Sequence, residues 1–384
     1  MFNFSKKNLL FISTFCALSI FIGCDSGGGG LSQPLLSSSA ELSSSSVVVP
    51  VDYSKARAMN ARLGRGINFG NSWDSQGKDD CGWSNCIKDE YFSIVKEAGF
   101  NSIRIPVRWN HDADTLPPYT LSAERLAGVK EDIEIALSLD MPVIVNIHHY
   151  AELISAKGEA LIKEKARYTA IWRQVAEALE PYPDSMLVFE LLNEPNGMAD
   201  NVVNELIDSG YTAIREKSLG KTIMINPNGF AKFYLMNKLV LPQDGNLIIT
   251  GHYYEPYTFS HQGDHGQSCG GVWTGDKYAI ASFESDFNSF VQMAQQYFPD
   301  INGGHIPLNM GEFGVSGVNT RGCETEELPS DAQRGLWTRE LVRIAESHDI
   351  SWHYWGFSRV GGFEAYDRDL KAWYPELIDA MMQR

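Results

Sequence analysis

Residues 187–195 read Leu-Val-Phe-Glu-Leu-Leu-Asn-Glu-Pro. An apolar, β-prone run of this length is too short for a free-standing helix and suits a buried strand. It stops at a polar pair, Asn193-Glu194, and Pro195 bars its extension. The same arrangement recurs in both directions. β-rich runs occupy 66–69, 102–106, 142–147, 187–192, 222–226, 247–251, 306–310 and 350–354. Helix-like stretches lie between them at 91–98, 122–139, 159–179, 202–218, 283–297 and 331–347, with a shorter piece at 232–238 and a closing one at 376–382. Strands separated by helical patterns imply parallel βαβ units. Eight units, with no Gly-rich phosphate turn after the first, predict an α/β fold closed as a single (β/α)8 TIM barrel. No repeat of 20–50 residues is visible.

Polar side chains collect at one end of these runs. Arg104 ends the second, His148 and His149 the third, Asn193 and Glu194 the fourth. His252 and Tyr254 end the sixth, Glu312 the seventh and Trp355 the eighth. In a barrel these positions share the C-terminal mouth, where such folds carry their chemistry. Packing alone rarely sets reactive side chains at six of eight strand ends. Two carboxyl groups facing each other across a mouth are what glycoside hydrolysis needs: one protonates the leaving oxygen, the other attacks the anomeric carbon or activates water. Glu194 and Glu312 are the candidates. The histidine pair is not read as a metal site, because neighbouring residues on a strand point to opposite faces. No metal or cofactor is expected.

Composition bounds the partners. The chain has 384 residues and a net charge of −16, which excludes nucleic acid and suits a soluble protein acting on a neutral polymer. Residues 1–23 read as an export signal: Lys6 and Lys7, then a mostly apolar run over 9–22 that is too short for a membrane span of about 20 residues. Gly23-Cys24 resembles a bacterial lipoprotein cleavage site, with Cys24 as the lipidation candidate. The alternative is an ordinary secretory signal with an incidental cysteine. Residues 24–51 are rich in Gly and Ser and cannot bury enough apolar surface to order, so they form a tether. Residues 52–384 are the catalytic domain, expected to be monomeric and to meet a membrane only through the anchor. Cys81 and Cys86 share the loop after the first run. Cys269 and Cys323 lie in the loops after runs six and seven. In an exported chain these four predict the disulfides Cys81–Cys86 and Cys269–Cys323. A zinc site would need tighter ligand clustering.

Six motifs in order carry a resemblance: Gly66-Ile67-Asn68-Phe69-Gly70-Asn71, Ile103-Arg104-Ile105-Pro106, Asn146-Ile147-His148-His149, Leu192-Asn193-Glu194-Pro195, His252-Tyr253-Tyr254 and Gly311-Glu312-Phe313-Gly314, with Trp355 after the last strand. Together they resemble glycoside hydrolase family five, the cellulase A family of retaining clan A glycosidases, over roughly 63–380. The resemblance implies Glu194 as acid/base and Glu312 as nucleophile. It implies that Arg104 and Tyr254 hold the nucleophile, that Asn193 meets the sugar 2-hydroxyl, and that His148 and His252 line the attacked sugar above a Trp355 floor. A cation beside Glu312 is expected to lower its pKa, and that anion to raise Glu194. Trp73, Trp83, Tyr150 and Trp273 are candidates for further subsites, or else loop anchors. The implied substrate is β-1,4-glucan, with mannan, xyloglucan and mixed-linkage glucan open. A lipoprotein that only binds polysaccharide is the reading of another class, and it would be expected to have lost one carboxyl of the pair.

Overall fold

The computed structural model describes residues 49–77, 81–264, 269–319, 322–324, 327–358 and 362–384. The expected signal, most of the tether and Cys24 lie outside them. Eight parallel strands close in chain order into a barrel: β1 Arg65–Asn68, β2 Ser102–Ile105, β3 Val143–Asn146, β4 Leu187–Glu190, β5 Thr222–Ile225, β6 Leu247–His252, β7 Leu308–Glu312 and β8 Ser351–Tyr354. Each expected run contains or overlaps its strand. Helices Asp89–Ala98, Ala123–Ser138, Gly158–Leu179, Asp200–Arg215, Lys277–Tyr297 and Asp331–Ser347 form the outer ring, and a 3-10 turn at Phe233–Lys238 takes the fifth place. Ser122 caps its helix as expected, accepting the N–H of Arg125. This is a (β/α)8 barrel.

Register explains which residues face inward. Ile223 pairs with Leu247, Ile225 with Ile249, and Ile249 with Leu308. All belong to the large core between strands and helices. The alternate positions point into the lumen. There Ile144, Val188, Met224 and Ile248 form a separate apolar cluster with Ala56, Met59 and Leu63. Those three belong to α1, Ser54–Leu63, a helix the sequence reading missed. It packs under β5, β6 and β8 as the barrel floor. One step nearer the mouth, the same alternation brings Arg104, Asn146, Glu190, Asn226 and Thr250 into the lumen, all buried.

Strict alternation would turn Glu312 outward, because Met310 belongs to the outer core. The pairing of β6 with β7 instead slips: Gly251 meets Met310, while His252 meets Glu312. Gly311 is the extra residue, and this bulge re-aims Glu312 into the mouth. A Cβ on Gly311 would stand 2.7 Å from Thr250 Oγ1, so only glycine fits there.

Both expected disulfides are formed, Cys81–Cys86 and Cys269–Cys323. Among the described residues no helix is long and apolar enough to cross a membrane.

Candidate active site

Arg104 is the hub of the mouth. It is fully buried, so each N–H must be matched by an acceptor. Its Nε and Nη2 donate to the two oxygens of Glu190 at 2.7 and 2.8 Å. Nη1 donates to Asn68 Oδ1 and to Glu312 Oε1, both at 2.8 Å, and Nη2 also reaches Asn193 Oδ1 at 2.7 Å. Glu190 takes a further bond from Asn226 Nδ2 at 2.9 Å. Asn68 Nδ2 donates to the carbonyls of Gly311, His353 and Tyr354, tying the bulge to β1 and β8.

Glu312 also accepts from the Tyr254 hydroxyl at 3.1 Å. His252 Nδ1 lies 2.7 Å from Glu194 Oε1 and 3.5 Å from Glu312 Oε2. One oxygen of each glutamate falls within 4.8 Å of the other. The Glu194 side chain is 29% exposed, that of Glu312 only 7%. Glu194 holds a left-handed backbone, φ 49°, where a non-glycine residue is strained. Trp355 lies ring-parallel to His148. A Cβ on Gly70 would come within 2.5 Å of the indole, so glycine there lets the ring settle against the β1 loop.

The charges differ from the sequence expectation. Burial pushes Glu312 up, with Glu194 adding to the rise and His252 and Arg104 opposing it. Burial works on Glu194 in the same sense, but the His252 hydrogen bond and the charges of His252, His149 and Arg104 together outweigh it and hold that carboxyl down. His252 itself is raised: burial opposes its charge, but Glu312 and Glu194 prevail. The expectation counted Arg104 as a free cation, whereas Glu190 already neutralises it bidentately. Burial alone would raise Glu190, yet Arg104 overrides it and holds the acid at about 2.

Three of the candidate platforms take the loop-anchor alternative. Trp73 is buried and its Nε1 donates to Asp132 at 2.6 Å. Tyr150 is buried and donates to Glu164 at 2.8 Å. Trp273 is buried and stacks on Phe283 of the Lys277–Tyr297 helix. Each anchors a loop, and none offers a ring face. Trp83 does, at 54% exposure, with its ring 6.2 Å from that of His149. The opposite-faces argument for His148 and His149 also fails. β3 ends at Asn146, and His149 turns left-handed at φ 51°. The two rings therefore converge, centroids 4.3 Å apart.

Glu190, Asn68, Asn226 and Asp74 were missed as site residues. Glu190 left a signal: a charge inside an apolar strand, in phase with lumen-facing Val188. Asn68 and Asn226 occupy equivalent lumen positions, but asparagine at a strand end is too common to stand out.

Fold and site together define a class: a (β/α)8 barrel with a close carboxyl pair at its mouth, the build of a glycoside hydrolase. The chain belongs to the cellulase family, glycosyl hydrolase family 5, whose model matches residues 65–360. It is 25% identical over 333 residues to endoglucanase H of Acetivibrio thermocellus, covering 84% of this chain and 33% of that protein. It is 29% identical over 278 residues to endoglucanase B of Paenibacillus lautus, covering 66% and 46%. The chain thus spans a third to a half of the length of these curated relatives. Among solved structures, Thermotoga maritima Cel5A in complex with mannotriose superposes with a TM-score of 0.75 at 33% identity, covering 85% of this chain and 99% of that one. An endoglucanase superposes at 0.77 and 31% identity, covering 86% and 100%.

Proposed function

We propose that this protein is an endo-acting, retaining β-glycanase that cleaves β-1,4-glucan by double displacement, with Glu312 as nucleophile and Glu194 as acid/base. The observation that carries the reading is the asymmetry of the pair. Glu312 is buried and held by two donors, Arg104 and Tyr254, which aim it and stabilise its anion. Glu194 is partly open to solvent, and among the described residues its carboxyl is bonded only to His252, as a group that must exchange protons with water should be. The roles rest on these contacts rather than on which of the two carboxyls carries the charge. One oxygen of each carboxyl lies within 4.8 Å of the other, a closer approach than the roughly 6.5–9.5 Å between carboxyl groups in inverting enzymes, which supports retention.

In the first step Glu194 gives its proton to the leaving oxygen while Glu312 bonds to the anomeric carbon. In the second, Glu194 takes a proton from water, and that water displaces Glu312. Two inversions return the original configuration. Asn193, bonded to Arg104, is placed to meet the 2-hydroxyl of the attacked sugar, with His148, His252 and Trp355 around it. Both relatives named above are called endoglucanases, which supports glucan. A mannotriose complex of Cel5A and another with cellobiose make mannan the second substrate to try.

A panel of carboxymethyl-cellulose, lichenan, glucomannan and xyloglucan, with NMR of the first product, tests the proposal. A β product is expected, and a fluorinated slow substrate should add mass to the peptide holding 311–314. An inverted product, or a label on Glu194, would overturn it. Export is part of the same reading: Cys24 takes lipid and the chain acts as an exported monomer, at the cell surface or in the periplasm. Palmitate-analogue labelling that disappears in Cys24→Ala is the expected result, and soluble, unlabelled wild type would mean a secretory signal.

A further inference from the structure

Asp74 follows β1 and is fully buried. Its Oδ1 accepts the Ser72 N–H at 2.8 Å. Its Oδ2 has no hydrogen-bond partner among the described residues, although a buried carboxyl oxygen left unpaired is costly. That oxygen lies 3.8 Å from His149 Nε2. One atom each of Asp74, His148 and His149 fall within 4.8 Å of one another, so the acid sits behind both cleft imidazoles.

The same trio invites a metal reading, and the hydrogen bonds argue against it. Asn146 Oδ1 accepts the Val107 N–H at 3.2 Å, so its Nδ2 is the group facing His148 Nδ1 at 3.1 Å. Nδ1 is then an acceptor, and the neutral ring keeps its proton on Nε2. A cation would need that nitrogen bare. His149 is different. Desolvation of the ring lowers its pKa although 45% of its side chain is exposed, and its left-handed backbone turns the ring toward Trp83. Which of its nitrogens carries the proton decides what it can offer a ligand.

We propose that Asp74 is a positioning residue that accepts the Nε2–H of His149, so that His149 presents its Nδ1 lone pair to a hydroxyl of a sugar seated between Trp83 and the His148–Trp355 pair. This rests on the reading of the cleft as a glycan site. Closing 3.8 Å to a hydrogen bond needs about 1 Å of ring movement, which a half-exposed side chain can make in solution without a ligand. Burial, with Glu312 adding its charge, pushes Asp74 up to about 7. Glu194, Arg108 and Arg104 are the charges acting on His149.

Side-chain ¹⁵N spectra of histidine-labelled, ligand-free protein at pH 8, above the Asp74 titration, test the tautomer. Wild type should show His149 protonated on Nε2. Asp74→Asn, whose amide can donate, should shift the proton to Nδ1 while keeping the acceptor for Ser72 N–H and hence the loop. In kinetics on soluble β-glucan, Asp74→Ala and His149→Ala should each raise KM about 3- to 10-fold, the worth of one hydrogen bond. Turnover at saturation should stay within about twofold, and the double variant should be no worse than either single one. An unchanged tautomer in Asp74→Asn, KM effects that multiply, or zinc-dependent broadening of both histidines would overturn the proposal. The spectra need no turnover, so they stand even if the glycanase reading fails.

Discussion

The floor and the mouth of the barrel are built from the same eight strands and obey different economies. At the floor, Ile144, Val188, Met224 and Ile248 close on α1 through contacts that are apolar throughout. Nearer the mouth, Arg104, Glu190 and Glu312 form an ion triad whose side chains are only 0–7% exposed. Desolvating such a set costs several kcal/mol per ion, and its mutual attraction only partly repays this. Backbone strain divides in the same way. Left-handed Asp140 and Asp349 stand just past helices that end at Ser138 and Ser347, a common way for a helix to stop. At the mouth, Asn71, His149 and Glu194 take that conformation with no such helix to end. The floor spends its residues on stability and the mouth on geometry.

That contrast can be broken experimentally. Glu312→Ala should lower kcat at least about 10⁴-fold on every substrate, because no group remains to form the intermediate. Circular dichroism should show an intact fold; unfolding instead would mean that the mouth also carries stability. Glu194→Ala should lose about 10³-fold on polysaccharide and far less on an aryl glycoside whose leaving group needs no proton. Azide should then restore turnover and release a β-glycosyl azide. An α-azide, or no rescue, would deny Glu194 its role.

Glu190→Gln probes the boundary between the two economies. Leaving Arg104 half-paired should cost about 3–5 kcal/mol of stability and also lower kcat, since Arg104 would then misplace Glu312. The pH sign follows from the depressed acid. Its contribution is fully present above the ordinary glutamate range and disappears as pH falls toward about 2. Urea midpoints measured from pH 6 to pH 2 should therefore fall less steeply in Glu190→Gln than in wild type, and parallel curves would rule out this linkage. The smallest catalytic effect belongs to the floor. Met224→Ala should cost about 2–5 kcal/mol in denaturant with kcat/KM within twofold at low temperature. A larger loss of activity than of stability would erase the distinction between the two ends.

Much of this was legible in the chain. Every strand announced itself by a short β-prone run. Arg104, Asn193, Glu194, Tyr254 and Glu312 could be found because strand ends in a barrel share one rim. α1 escaped because half of Ser54–Leu63 is polar and it buries only Ala56, Met59, Asn60 and Leu63. Asp74 escaped because a loop aspartate is usually solvated. Which rings stay open was not legible, because Trp73, Tyr150 and Trp273 differ from Trp83 only in what packs on them.

The sequence by itself determined the order and number of the βα units, and therefore the rim on which the carboxyls stand, because strand and helix periodicities are set by residues a few places apart. Tertiary structure alone decided the direction of Glu312, through a slip in register against a strand some sixty residues earlier. It decided the convergence of His148 with His149 and the pairing of Arg104 with Glu190 before Glu312. Each of these depends on contacts between distant segments, where one extra residue reverses a side chain and one buried partner changes the charge its neighbour feels.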